Sequence, residues 1–170
     1  MYIETDRMVI RNFVPEDAHD LYEILGDHET MRNCEPAYDF EKTKAFLTSF
    51  CIERKGAVAA VHKESSKMIG YILFNETDEN TYEMGWFFNR SFWQQGYAYE
   101  SCKAVIDHAF AQRKARKIFA ETIDGIKSIR LMQKLGMRLE NVQQKQTKDP
   151  RGNWADLFLY VLDYDEWKES

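Results

Sequence analysis

Residues 82–110 read YEMGWFFNRSFWQQGYAYESCKAVIDHAF, and the fold turns on how this stretch is divided. Its first part alternates as a strand does, with Glu83, Gly85 and Phe87 toward one face and Tyr82, Met84, Trp86 and Phe88 toward the other. From Tyr97 to Gln112 the period lengthens, and Ala98, Cys102, Val105, Ile106 and Ala109 share one side of a helix. Between the two lies a polar, aromatic loop with a single glycine, Gly96. The first amides of a helix have no intrahelical partner and sit at the positive end of its dipole, so a strand, loop and helix start can hold an anion. Gly96 leaves room for a phosphate to approach the backbone, and Ala98 keeps the next turn small. A glycine inside a strand, such as Gly85, often marks the close approach of a ligand or another backbone. Glu83 then reads as a base beside a phosphate-bearing cofactor, while a bulge with a surface glutamate accounts for the same residues more blandly.

Working outward, Ile3 to Phe13 reads as a first strand. Pro15 opens a helix where its missing N–H is harmless, Ala18, Leu21 and Leu25 form its apolar stripe, and Gly26 ends it. Asp39 to Lys55 is a second helical segment with Asp39 as N-cap. AVAAVHK, ESSK and MIGYILFNE, spanning 57–76, make a hairpin, and TDEN leads into the strand that carries Glu83. Beyond the long helix, Lys117 to Ile123 is strand-like, and Ile126 to Leu135 is a helix closed by Gly136. MRLENVQQKQT, KDPRGN and WADLFLYVLDY form a final long hairpin. Helices set among mostly antiparallel strands make an α+β domain.

A chain of 170 residues, 44% hydrophobic and 30% charged, is expected to form one domain, 1–170, with its own core. The net charge of −5 argues against a partner bound through nucleic-acid phosphates. Three widely spaced cysteines form neither a disulfide framework nor a metal motif, which points to a reducing cytoplasm. The N-terminal residues lack the apolar core of a signal peptide, and no run is long enough to span a membrane. His19, His28, His62 and His108 lack metal-site spacing, so no metal is expected. The acidic run 75–80 reads as a solvated loop, or as an attractor for a cationic acceptor.

Three separated segments, ETDRMVIRNFVPEDAHDLYEIL, the stretch quoted first, and SIRLMQKLGMRLE, resemble the GNAT acetyltransferases in order along nearly the whole chain. The likeness is greatest to the branch of ribosomal-protein N-acetyltransferases and their small-molecule relatives. The family's pyrophosphate signature, Gln or Arg, two residues, Gly, one residue, then Gly or Ala, falls on Trp93, Gln94, Gln95, Gly96, Tyr97 and Ala98. Trp93 stands at its first position, and Tyr99 stands where a threonine is common.

The resemblance implies a mixed, mostly antiparallel sheet of about seven strands flanked by about four helices, with acetyl-CoA as donor. It implies pantetheine pairing at Phe87, Phe88 and Asn89, a pyrophosphate cradle from Trp93 to Tyr99, and further cofactor contacts at Gly125, Ser128 and Leu131. It also implies direct attack of a primary amine, on a small molecule or a protein N-terminus, without a covalent enzyme intermediate. Glu83 is then the candidate base through water, with Glu121 as runner-up. Ser128 and Tyr160 are candidate proton sources for the thiolate, although the acid stays unassigned: Met132 replaces a frequent tyrosine and Gly125 a frequent asparagine. The acceptor wall falls on Asp27 to Tyr38, with Met31, Arg32, Asn33 and Tyr38 as specificity residues. A catalytically weak acyl-CoA-binding sensor is the alternative, and a monomer and a homodimer fit equally well. A dinucleotide oxidoreductase fails because its glycine fingerprint is absent.

Overall fold

The computed structural model describes residues 1–170. Its strands are β1 (Tyr2–Glu4), β2 (Met8–Arg11), β3 (Ala57–His62), β4 (Lys67–Asp78), β5 (Thr81–Phe88), β6 (Lys117–Thr122), β7 (Arg138–Lys148) and β8 (Trp154–Asp163). Its helices are α1 (Ala18–Leu25), α2 (Phe40–Phe46), α3 (Tyr97–Gln112), α4 (Lys127–Lys134) and α5 (Tyr164–Glu169). The strands join in one sheet, in the order β1-β2-β3-β4-β5-β6-β8-β7. All neighbours are antiparallel except β5 and β6, which run parallel because α3 carries the chain back across the sheet.

Both faces of the sheet bury a core. On one, Met8, Ile69, Met84, Ile118 and Leu162 pack with Val105, Ile106 and Ala109 of α3 and Met132 of α4. On the other, Ala59, Met68 and Tyr71 pack with Leu21, Ile24 and Leu25 of α1, then Leu47 and Cys51 beyond α2. The alternation read along β5 holds: Tyr82, Met84 and Phe88 enter the α3 core, while Phe87 leans on the α1 core.

Local chemistry explains the boundaries. Asp39 caps α2 by accepting the Lys42 N–H at 2.7 Å, and Gly136 takes a left-handed φ of +87° beyond α4. The single strand expected over Ile3–Phe13 is instead a hairpin. Thr5 N–H donates to the Met8 carbonyl at 2.9 Å and Thr5 Oγ1 accepts the Met8 N–H at 3.0 Å, which turns the chain between β1 and β2. The second helical segment loosens along its length, α2 passing into π-helix over Leu47–Glu53. Tyr164, read as the last residue of the final strand, instead opens α5, which runs to Glu169. Glu166 Oε2 accepts the Asp163 N–H at 2.9 Å, and Trp167 stacks on Phe110 with centroids 5.3 Å apart. These splits raise the count to eight strands and five helices. No helix is long and apolar enough to cross a membrane.

Candidate active site

β5 and β6 pair only at Thr81↔Lys117, Tyr82↔Ile118 and Glu83↔Phe119. Beyond that point they separate, and a cleft of about 1030 Å³ opens between β5, the loop before α3, β6 and α4. Peptide groups alternate in direction along a strand, so the bonds at its end reveal which residues face the opening. The Asn89 N–H donates to Ile69 of β4 at 2.8 Å, which turns the odd-numbered residues of β5 toward β4. The even-numbered residues face the opening. The Phe88 carbonyl already accepts the indole N–H of Trp93 at 2.7 Å, leaving the Trp86 peptide groups and the Phe88 N–H without a strand partner. Of the three residues expected to pair with pantetheine, Phe87 and Phe88 line the cleft, with the Phe88 N–H toward the opening and the Phe87 peptide groups toward β4. The Asn89 side chain is engaged within the fold, bonding Glu23 at 3.0 Å and capping the Ser91 N–H at 3.0 Å.

The loop before α3 is shaped by two left-handed residues, Gln94 at φ +63° and Gly96 at φ +84°. No side chain caps α3, and the N–H groups of Gly96, Tyr97 and Ala98 have no acceptor within the chain. Trp93, Gln94, Gly96, Tyr97, Ala98 and Tyr99 line the cleft; the Gln95 carbonyl is held from behind by Arg7 at 2.9 Å. Across from them α4 adds charge that the sequence reading passed over. Lys134 Nζ lies 4.2 Å from the Tyr99 ring centroid, and Lys127 Nζ 5.5 Å from that of Trp93. Their spacing of seven along one helix is the signal that places both on one face. Free amides, a helix N-terminus and two lysines suit a pyrophosphate.

Glu83 and Glu121 project from neighbouring strands on the face opposite α3. Burial, and then the nearby Glu121 carboxylate, push the Glu83 carboxyl above its ordinary value. Glu121 is exposed and lines the cleft, while Glu83 stands half-buried beyond its lining. Ser128 and Leu131 of α4 also line the cleft; Gly125 does not, and a Cβ there would only touch Phe158 at 3.8 Å. Tyr160 is 5% exposed among core residues, so it is placed as packing and not in the cleft.

The loop joining α1 and α2 divides in the same way. Arg32 and Asn33 line the cleft with Glu29 and Cys34, whereas Met31 and Tyr38 are buried against Leu25 and Leu47. Those two are supports of the wall, because an apolar core claims the side chains that the turn directs inward. Arg151, from the β7–β8 turn, completes this end by donating Nη1 to the Arg32 carbonyl at 3.1 Å. Cys34 stands at this wall as an exposed free thiol.

Residues 7–138 match the family model described as an acetyltransferase (GNAT) domain. The chain is 32% identical over 171 residues to YnaD of Bacillus subtilis, an uncharacterized N-acetyltransferase, covering 98% of this chain and 99% of that one. A GNAT-family acetyltransferase structure from Bacillus anthracis superposes with a TM-score of 0.89 at 27% identity, over 97% and 99% of the two chains. Spermidine N-acetyltransferase from Vibrio cholerae, solved with CoA and spermine, gives 0.85 at 13% identity over 96% and 99%, a likeness of fold.

Proposed function

Because the chain belongs to the GNAT acetyltransferase family, we propose that this acyltransferase moves an acetyl group from acetyl-CoA directly to a primary amine. The acceptor is a small molecule or a protein N-terminus, and the reaction belongs in the cytoplasm. The observation that carries the reading is the parting of β5 from β6 beside an uncapped helix start. A linear amide-bearing arm can pair with the Trp86 and Phe88 backbone while a pyrophosphate takes the free amides at Gly96, Tyr97 and Ala98.

Acetyl-CoA, when bound, supplies a thioester open to attack by an amine. The chain's own groups supply the rest. Glu83, whose carboxyl is raised above its ordinary value by burial and then by Glu121, is suited to accept the ammonium proton through water. Lys127 and Lys134 offset phosphate charge at one end, and Glu29, Arg32, Asn33 and Arg151 shape the acceptor end. Of the two hydroxyls considered as acids, Ser128 is the one that lines the cleft.

Acetyl-CoA is expected to raise the melting temperature, and a panel of polyamines, amino acids, aminoglycosides and peptide N-termini is expected to reveal an acceptor by release of free CoA thiol. Met132, 1% exposed, packs in the core where the family resemblance implies a tyrosine, and this favours a second reading as an acyl-CoA sensor. Acetyl-CoA binding without thiol release from any amine would put the sensor in place of the enzyme.

A further inference from the structure

Arg7 sits in the turn between β1 and β2, behind the phosphate loop and outside the cleft lining. Its contacts converge on that loop. Nε donates to Glu100 Oε2 at 2.7 Å, its backbone N–H donates to Glu100 Oε1 at 2.9 Å, and Nη1 donates to the Gln95 carbonyl at 2.9 Å. The guanidinium lies 4.2 Å from the Tyr97 ring centroid, and Nη2 is 3.3 Å from where a Cβ on Gly96 would stand. Thr5 Oγ1 fixes the other side of the assembly by donating to Glu100 Oε1 at 2.6 Å.

A trans peptide is planar, so its C=O and the following N–H point in opposite directions. No peptide in the chain is cis. Holding the Gln95 carbonyl on the back of the loop therefore turns the Gly96 N–H forward, toward the cleft. Gly96 suits the same geometry: its left-handed φ strains a side chain, and a Cβ there would crowd the guanidinium at 3.3 Å. We propose that Arg7 is a positioning residue for the acetyl-CoA pyrophosphate, aiming the loop amides and neutralising Glu100, which would otherwise repel it.

Glu100 is the only acidic residue in the first turn of α3. Burial works against its charge, but hydrogen bonds from Thr5 and Arg7 outweigh it and hold the carboxyl below its ordinary value. A carboxylate there suits the helix dipole yet opposes an incoming dianion. The guanidinium resolves that conflict by pairing with it, and its planar fork serves Glu100 and Gln95 together in a fixed geometry that an ammonium lacks.

The inference rests on the acetyl-CoA reading, and the test separates the two. Dissociation constants are measured for the intact protein and for R7A and R7K, with acetyl-CoA and with S-acetylpantetheine, which lacks the pyrophosphate. R7A is expected to bind acetyl-CoA about tenfold more weakly and S-acetylpantetheine unchanged. R7K, which keeps the charge and the packing, is expected to fall between, and it serves alone if R7A does not fold. Acetyl-CoA affinity unchanged in both variants, or equal losses for both donors, would overturn the positioning role. Failure of the unaltered protein to bind acetyl-CoA would instead overturn the functional reading, and this inference with it.

Discussion

Glu83 shows how a single side chain's surroundings set both chemistry and stability. Burial and Glu121 disfavour its charged form, so its folded-state value lies above its unfolded one. A carboxyl shifted upward supports the fold below the ordinary glutamate range, and that support is lost as pH rises through the shifted value. At neutral pH the ionised group is therefore a small burden. E83Q is expected to melt higher than the unaltered protein at neutral pH, with the gap closing as the solution is made acid. The same change is expected to lower kcat by about a hundredfold if Glu83 takes the proton. Paired pH–rate profiles and pH-dependent melts check both halves: turnover unchanged across pH removes Glu83 as base, and no gain in melting temperature contradicts the burial argument.

Elements far from the chemistry hold its walls in place, and Asp17 supports one of them. It is 4% exposed just before α1, accepting Nη1 and Nη2 of Arg11 at 2.8 Å each and the Val14 N–H at 2.9 Å. D17A strands the guanidinium and the N–H, and is expected to cost about 3 kcal/mol, or about 10 °C in Tm. The affinity for acetyl-CoA should stay as it was, because none of the Asp17 contacts reaches residues 93–99; a calorimetric melt and a titration check the pair, and an unmoved Tm contradicts it. Elements of this kind also mark what the sequence makes legible. Period carried α1, α3 and the strand alternation of β5, because each has enough residues to repeat a pattern. The turn at Thr5 and the short α5 were not legible, since one hydroxyl and one stacked tryptophan decide them through partners distant in the chain or too few to show a period. The site divides on the same line. Gly96 announces itself locally, whereas Arg7 reaches Gln95 across 88 residues of sequence, and whether Met31 or Arg32 faces the cleft depends on how a loop settles on the core.

Across the whole molecule, charge is distributed against its sum. The chain carries a net charge of −5, yet the end of the cleft proposed for the phosphates is lined by Lys127, Arg130 and Lys134. Screening confines each charge to roughly 10 Å at moderate salt, so a ligand responds to the local set and not to the total. The two ends of the cleft belong to different parts of the chain. The end proposed for the donor is built by β5, α3 and α4, and the end proposed for the acceptor by the α1–α2 loop and the β7–β8 turn. Arg151 is what joins these last two, with Nη2 on Asp149 at 2.9 Å and Nη1 on the Arg32 carbonyl at 3.1 Å. Removing it should release the acceptor wall and leave the donor end intact. R151A is accordingly expected to raise KM for the amine about fivefold, the worth of one hydrogen bond, with the acetyl-CoA dissociation constant unchanged. Steady-state kinetics in each substrate distinguish the outcomes, and a loss confined to acetyl-CoA would mean that the two ends of the cleft are not built independently.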